Sequence, residues 1–290
     1  MNPIVIATDL TSNAVPALKR GFIHARGIGA PVVVCHVLPD VMRHPLTPSR
    51  SENDLVAASE MTKRAAELVT EQVRQATNAS PDDYRIVLEC GSPEDEIVRI
   101  AEDEKAALIV IGAKERQGAE RFLGQVAERV VRYSHTSVLV ARVGHETGKV
   151  LVTTDFEACS QPALVLMKKL VDTMNLDATL LHVMEVQSSI LPSVLAPLGI
   201  EYATPAKSAM DDLAALGKST IEGLAKEYGA RHAEQIEGVA TDVIVSRAAE
   251  LGVELIVMGS RGRKGLARLL VGSTAESVVR RSSTSVLVAR

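Results

Sequence analysis

The sequence predicts an α/β protein of two tandem doubly wound domains, each a five-stranded parallel sheet flanked by helices. Three observations predict it. Short Val/Ile runs alternate with Ala/Leu-rich stretches of helical length along all 290 residues, the pattern of parallel strands buried between helices. The residues are 46% hydrophobic and 23% charged, enough for a sizeable core and too apolar for disorder. The chain also repeats itself once. Thr136-Ser-Val-Leu-Val-Ala-Arg142 recurs letter for letter as Thr284 to Arg290, and other landmarks pair at nearly the same offset. A two-copy array of this length is a domain duplication, and 290 residues are long for one domain and comfortable for two.

Each copy reads in the same order. The first strands, Pro3–Thr8 and Lys149–Thr154, run into Asp9 and Asp155 and then a helix of about four turns. The second strands, Pro31–Val37 and Ala178–Val183, end on the matching pairs His36-Val37 and His182-Val183. They lead into Pro-containing connections, Leu38–Asp54 and Ser188–Ala206, and then a long helix. Third strands follow at Tyr84–Glu89 and His232–Glu237, then a third helix, then fourth strands at Ala107–Ile111 and Glu254–Met258. A Gly-rich loop, a fourth helix and the repeated closing strand complete the unit. Five strands with four crossovers imply the doubly wound topology. The boundary falls at Val143–Gly148, a short polar stretch with two glycines, separating 1–143 from 149–290.

Composition excludes several functions. Lys+Arg 32 against Asp+Glu 36 gives a net charge of -4, and aromatic residues make up 2% with no Trp. A nucleic-acid binder needs a basic excess and stacking faces. Cys35, Cys90 and Cys159 are too scattered for a disulfide framework or a zinc cage and suit a reducing compartment. No basic segment precedes an apolar leader, and no apolar run approaches the roughly 18 residues of a membrane span. The expectation is a cytoplasmic protein without nucleic-acid or membrane partners.

The chemistry-bearing motif lies in the second copy, where the fourth strand runs into Gly259-Ser-Arg261-Gly262 and, after nine intervening residues, Gly272-Ser273-Thr274. Glycines 259 and 262 have no Cβ and tolerate positive φ, so backbone there can approach a polyphosphate. Gly272-Ser273 stands where the fourth helix should begin, with free N–H groups, a helix dipole and a hydroxyl. From Arg261 to Arg281 six basic residues face one acid, Glu276. This Gly-x2-Gly-x9-Gly-Ser loop, Asp155, His182-Val183 and the closing Ser285-Val-Leu-Val resemble the universal stress protein family, over both halves of the chain. The resemblance implies ATP as ligand, with Mg²⁺ as a candidate companion ion. It places phosphates at Gly259, Gly262, Gly272 and Ser273 and the nucleoside at Asp155 and Val183, with Arg261 and Thr274 as further cofactor-binding residues. It also implies that the two domains pair through edge strands, at Val138–Val140 and Val286–Val288, with a homodimer as a further option.

The first copy departs from that pattern. Its loop, Gly112-Ala-Lys-Glu115 to Gly124-Gln125, has Glu for the second glycine and Gln for the Ser, and is one residue shorter. A carboxylate aimed at a triphosphate is repulsive, so this copy is expected to act as a structural partner. Other readings stay open: Gly259 and Gly262 as plain turn residues, Asp155 and Ser273 as helix caps. His36 and His182 read as packed, hydrogen-bonded histidines. Gly217-Lys218-Ser219 lacks the earlier glycine of a phosphate loop and reads as helix. No nucleophile stands beside a base, so any ATP hydrolysis would be slow. The functional alternatives to a stress-response ATP binder are a nucleotide-independent interaction scaffold and a slow ATP or adenylate hydrolase.

Overall fold

A computed structural model describes residues 1–39, 52–114, 123–144, 146–185, 207–260 and 271–290. The first half runs β1 (Ile4–Ala7), α1 (Val15–Ile28), β2 (Val32–Leu38), α2 (Glu52–Thr77), β3 (Tyr84–Cys90), α3 (Pro93–Asp103), β4 (Leu108–Gly112), α4 (Gln125–Tyr133) and β5 (Val138–Ala141). The second half repeats it with β6 (Lys149–Thr154), α5 (Gln161–Met174), β7 (Asp177–Met184), α6 (Lys207–Tyr228), β8 (His232–Glu237), α7 (Ala240–Leu251), β9 (Leu255–Gly259), α8 (Ser273–Arg281) and β10 (Ser285–Ala289). Gly217-Lys218-Ser219 lies inside α6, as helix.

The described strands join one ten-stranded sheet in the order β3-β2-β1-β4-β5-β10-β9-β6-β7-β8. Within each half the pairing is parallel. Strands such as Ile-Val-Ile-Ala in β1 are apolar throughout because helices cover both faces. Alternate residues serve opposite cores: Ile4, Ile6, Val150 and Val152 pack under α1, α2, α5 and α6. Val5, Ala7, Leu151 and Ile256 pack under α3, α4, α7 and α8. The strand limits differ by a residue or two from those expected. Pro31 stays outside β2, where its carbonyl still accepts from the Ile4 amide at 2.9 Å.

The halves meet through the one antiparallel pair in the sheet, Val286 with Val140, Leu287 with Leu139 and Val288 with Val138. All six side chains are buried. The expected edge-strand pairing is therefore present within the chain. Its ends are tied reciprocally: the Arg142 amide donates to the Ser285 hydroxyl at 3.0 Å and the Arg290 amide to that of Ser137 at 3.1 Å. The two guanidinium groups donate across the interface to the carbonyls of Val279 and Val131. Leu139 and Leu287 face each other at the centre, and the contacts on either side of them are exchanged between the two copies, the reciprocal pattern of a two-fold axis.

A second bond between the halves breaks the symmetry. Arg20 of α1 donates to Glu254 Oε1 at 2.8 Å, with both side chains 7% exposed. Glu254 Oε2 accepts from the amides of Thr147 and Gly148 at 2.6 and 2.9 Å. Glu254, expected as a strand residue, therefore stands just before β9 and holds the stretch between the two halves. Removing one partner of such a buried pair typically costs about 3–5 kcal/mol, because the other charge stays uncompensated.

His24, one turn beyond Arg20, is 5% exposed and its Nε2 has no hydrogen-bond partner among the described residues. Burial, aided by the Arg20 charge, lowers its pKa from 6.5 to about 4. The unfolded chain therefore binds a proton that the folded chain refuses between these values, so this group costs stability as pH falls from about 6.5 to 4. Denaturant melts across that window should show a loss of about 3 kcal/mol attributable to His24, and His24→Leu should flatten the pH dependence by that amount. An unchanged slope in the variant would contradict the assignment.

Candidate functional site

The chain leaves β6 to build outward through β7 and β8, then returns to β9 on the other side. A crevice opens at such a reversal, beyond the carboxyl ends of the two flanking strands. Asp155 directly follows β6, and Gly259 ends β9. The Ser260 amide donates to the Ala289 carbonyl at 3.1 Å, and the Ser260 carbonyl accepts from the Gly272 amide at 2.7 Å. That second bond closes the base of the loop and delivers the start of α8 to the end of β9. Gly259, Gly272, Ser273 and Asp155 thus belong to one end of the sheet. Arg261 and Gly262 lie outside the described residues.

Gly272 is the N-cap of α8 (φ −65°, ψ 149°), so Ser273 is the first helical residue and not its cap. The first bond of the helix runs from the Glu276 amide to the Gly272 carbonyl at 3.0 Å. The amides of Ser273, Thr274 and Ala275 are left without a helical acceptor. The Gly272 amide is committed to Ser260, so what this glycine offers an anion is the absence of a side chain. Ala275 carries no signal in the sequence, because its side chain is apolar and buried and the group it presents at the helix start is its backbone amide.

Asp155 does not cap α5 either, whose N-cap is Ser160. Its Oδ1 accepts from the Glu157 amide at 3.1 Å and its Oδ2 from the Cys159 thiol at 3.7 Å. The turn that follows puts Phe156 at φ 63°, matched by Leu10 at φ 63° in the first half. This left-handed step is costly for a non-glycine residue, and the turn's bonds hold it. The Phe156 amide donates to Thr154 Oγ1 at 3.1 Å, and its ring stacks on His182 with centroids 3.9 Å apart. His182 Nδ1 meets the Thr154 carbonyl at 2.9 Å, as His36 Nδ1 meets that of Thr8 at 2.8 Å. Both histidines are packed and hydrogen-bonded, as expected. Burial and then the Asp155 charge raise the Cys159 pKa.

Gly259 does not take a positive φ. Glycine is required there for another reason: a Cβ would stand 2.4 Å from the Cys159 carbonyl oxygen, and at Gly112 it would stand 2.1 Å from that of Asn13. The turn after the first strand packs directly on these strand ends. This packing role stands beside the phosphate contact expected of Gly259. Val183, on β7, is half-buried against the α7–α8 core. It lies two strands from β9, about 10 Å at ordinary strand spacing. Thr274 is half-buried in the first turn of α8.

The basic cluster is smaller than the count suggested. Arg280 pairs with Glu128 and Glu276, and Arg281 with Asp242. They stand at the far end of α8, roughly 10 Å along its axis from Ser273. Arg263, Lys264 and Arg268 lie outside the described residues. Among the described residues no group of three or more His, Cys, Asp or Glu is placed to hold a metal, and no helix is long and apolar enough to cross a membrane. The first half repeats the frame, with Gly124 as N-cap at φ 22° and Gln125 opening α4. Glu115 lies outside the described residues.

Gly259→Ala and Gly112→Ala should each destabilise by about 1–3 kcal/mol or more, since backbone must shift to admit the methyl group. Gly144→Ala, with open space around its Cα, should be close to neutral. Chemical denaturation of the three variants measures this, and equal stability of all three would refute the packing role.

Comparison with known proteins agrees with this frame. The family model described as the universal stress protein family matches residues 1–142 and again 146–290. The universal stress protein MJ0531 of Methanocaldococcus jannaschii is 41% identical over 71 residues, 24% of this chain and 42% of that protein. The matched stretch therefore spans less than half of that relative's length. The crystal structure of a universal stress protein from Archaeoglobus fulgidus DSM 4304 superposes over 100% of this chain and 98% of its own, with TM-score 0.69 and 22% identity. Another Archaeoglobus fulgidus universal stress protein, solved in complex with dAMP, covers 48% of this chain and 95% of its own (26% identity, TM-score 0.32). With its model matched twice, end to end along the sequence, the chain belongs to the universal stress protein family.

Proposed function

We propose that the protein is a stress-response regulator that binds ATP in its second half, at the carboxyl ends of β6 and β9, with the first half as a non-binding structural partner. The observation that carries this reading is the 2.7 Å bond from Gly272 to Ser260. It brings the start of α8, where three amides lack a helical acceptor, to the end of β9, next to β6 and the Asp155 that follows it. A hydrogen bond to a charged acceptor contributes about 1.5–3 kcal/mol, and the helix dipole adds to it. Three such bonds with the Ser273 hydroxyl reach the roughly −8 kcal/mol of micromolar affinity after ordering costs. Asp155 is an acceptor for a ribose hydroxyl, and the β7 end near Val183 is the nucleoside wall. These residues suit a nucleotide: small residues at the phosphate end, an acceptor carboxylate displaced from it by one strand. ATP in preference to other nucleotides rests on the family resemblance, as does Mg²⁺ as its companion.

Binding without efficient turnover fits the histidines best. His182 is committed to the Thr154 carbonyl and the Phe156 ring, and His232 lies 3.8 Å from Asp177 at the start of β7, the opposite end of the strands. With Gln125 in the place of Ser273 and Glu115 in the place of Gly262, the first half offers a poorer anion site on the same frame.

The chain has no Trp and Tyr 4, so it absorbs weakly at 280 nm, and co-purifying nucleotide should raise the 260/280 ratio. Calorimetric titration of nucleotide-free protein should show one ATP per chain. Gly262→Glu, which copies the first-half loop, should abolish binding with the melting temperature preserved, and Ser273→Ala should weaken it about tenfold. Two sites per chain, no binding at all, or undiminished binding by Gly262→Glu would each overturn the reading.

A further inference from the structure

Between α4 and α8 four charges close a ring. The Arg132 guanidinium lies 2.7 Å from Glu276 and 3.2 Å from Glu128, and that of Arg280 lies 2.6 Å from Glu128 and 3.1 Å from Glu276. Each arginine bridges a glutamate of its own helix and one of the other half. Under the ring sits a small apolar recess lined by Leu123, Val131, Val271 and Val279. Leu123 and Val271 immediately precede Gly124 and Gly272, the N-caps of α4 and α8. The recess therefore reaches the start of both helices, while the ring above it is made by the fourth and eighth residues of each. Glu276 is the fourth residue of α8, about 5 Å along the axis from Ser273. A carboxylate there suits the helix dipole but repels an anion bound at the same terminus.

We propose that Arg132, supplied by the half without an intact loop, is a positioning residue for the phosphate site of the other half. It holds and neutralises Glu276, and so sets the affinity of α8 for polyphosphate anions. Glu128 works in the opposite sense, because it draws on the positive charge of Arg280. The inference rests on the nucleotide reading above and gives the first half an electrostatic role beyond a scaffold. It has a signature that packing lacks. Losing Arg132 or losing Glu128 breaks the ring equally, yet the two changes move the local charge in opposite directions. The charges lie within about one Debye length of the site at 0.1 M salt, so their effect fades as salt rises.

The test titrates the full chain with ATP and with AMP at about 0.02 M and about 1 M salt, for the parent, Arg132→Gln, Glu128→Gln, Glu276→Gln and the Arg132→Gln/Glu276→Gln pair. Circular dichroism melts check the fold of each. At low salt Arg132→Gln should weaken ATP binding about three- to tenfold, while Glu128→Gln and Glu276→Gln tighten it about threefold. The double variant should return close to the parent. The differences should shrink at high salt and be smaller for AMP, which carries less charge. Should Arg132→Gln fail to fold, the two glutamate variants carry the same signed test. Weakening by every variant, shifts insensitive to salt, or unchanged affinity throughout would overturn the proposal alone. A flat titration of the parent would instead show that the nucleotide reading itself fails, and the proposal with it.

Discussion

The antiparallel pairing of β5 with β10 is the constraint on which the rest of the molecule depends. Each half ends in a strand with apolar residues on both faces, and alone each would expose an edge able to recruit other chains. Joined, the two strands bury Val138, Leu139, Val140, Val286, Leu287 and Val288 completely, at about 1.5–3 kcal/mol for each large side chain. The merged sheet keeps β3 and β8 as its outer strands. There Arg85, Glu89 and Glu234 take part in surface ion pairs with Glu104, Arg99 and Arg247. Charged side chains on outer strands disfavour further sheet growth.

The same pairing explains why one heptapeptide is repeated without change. Ser137 and Ser285 accept from the amides of Arg290 and Arg142, and the two guanidinium groups reach the carbonyls of Val131 and Val279. A substitution in one copy alters its contact with the other copy and leaves the symmetric contact in place, so each copy constrains the residues it meets in the other. Away from the axis that constraint relaxes. Arg20–Glu254 has no counterpart, and the two loops after β4 and β9 differ in length and in charge.

That relaxation is where function enters. Both halves have the left-handed turn after the first strand, the histidine under it and the glycine beneath the turn's carbonyl. The frame of the site is therefore structural, and the frame alone does not make a ligand site. The distinguishing features are a serine at the start of α8 and the small residues of its loop. The charge ring between α4 and α8 then brings the two helix starts under one electrostatic balance.

How much was legible in the sequence follows from the range of each interaction. The strands, the duplication, the helical reading of Gly217-Lys218-Ser219 and the packed histidines came from local pattern: apolar periodicity and paired landmarks 146 to 148 residues apart. Glycine spacing marked the crevice, but it did not reveal what two of its glycines also do in the fold. Gly259 is small because the Cys159 carbonyl lies over it, and the amide of Gly272 serves Ser260. Neither contact leaves a trace in spacing. The sequence by itself determined the fold and its doubling, because burial on alternating faces is written residue by residue along the chain. Only the tertiary structure decided which residue caps α8, that Glu254 holds the linker, and that Arg280 pairs across the seam between the halves. Those outcomes depend on which groups meet across more than a hundred residues, and that is set by packing in space.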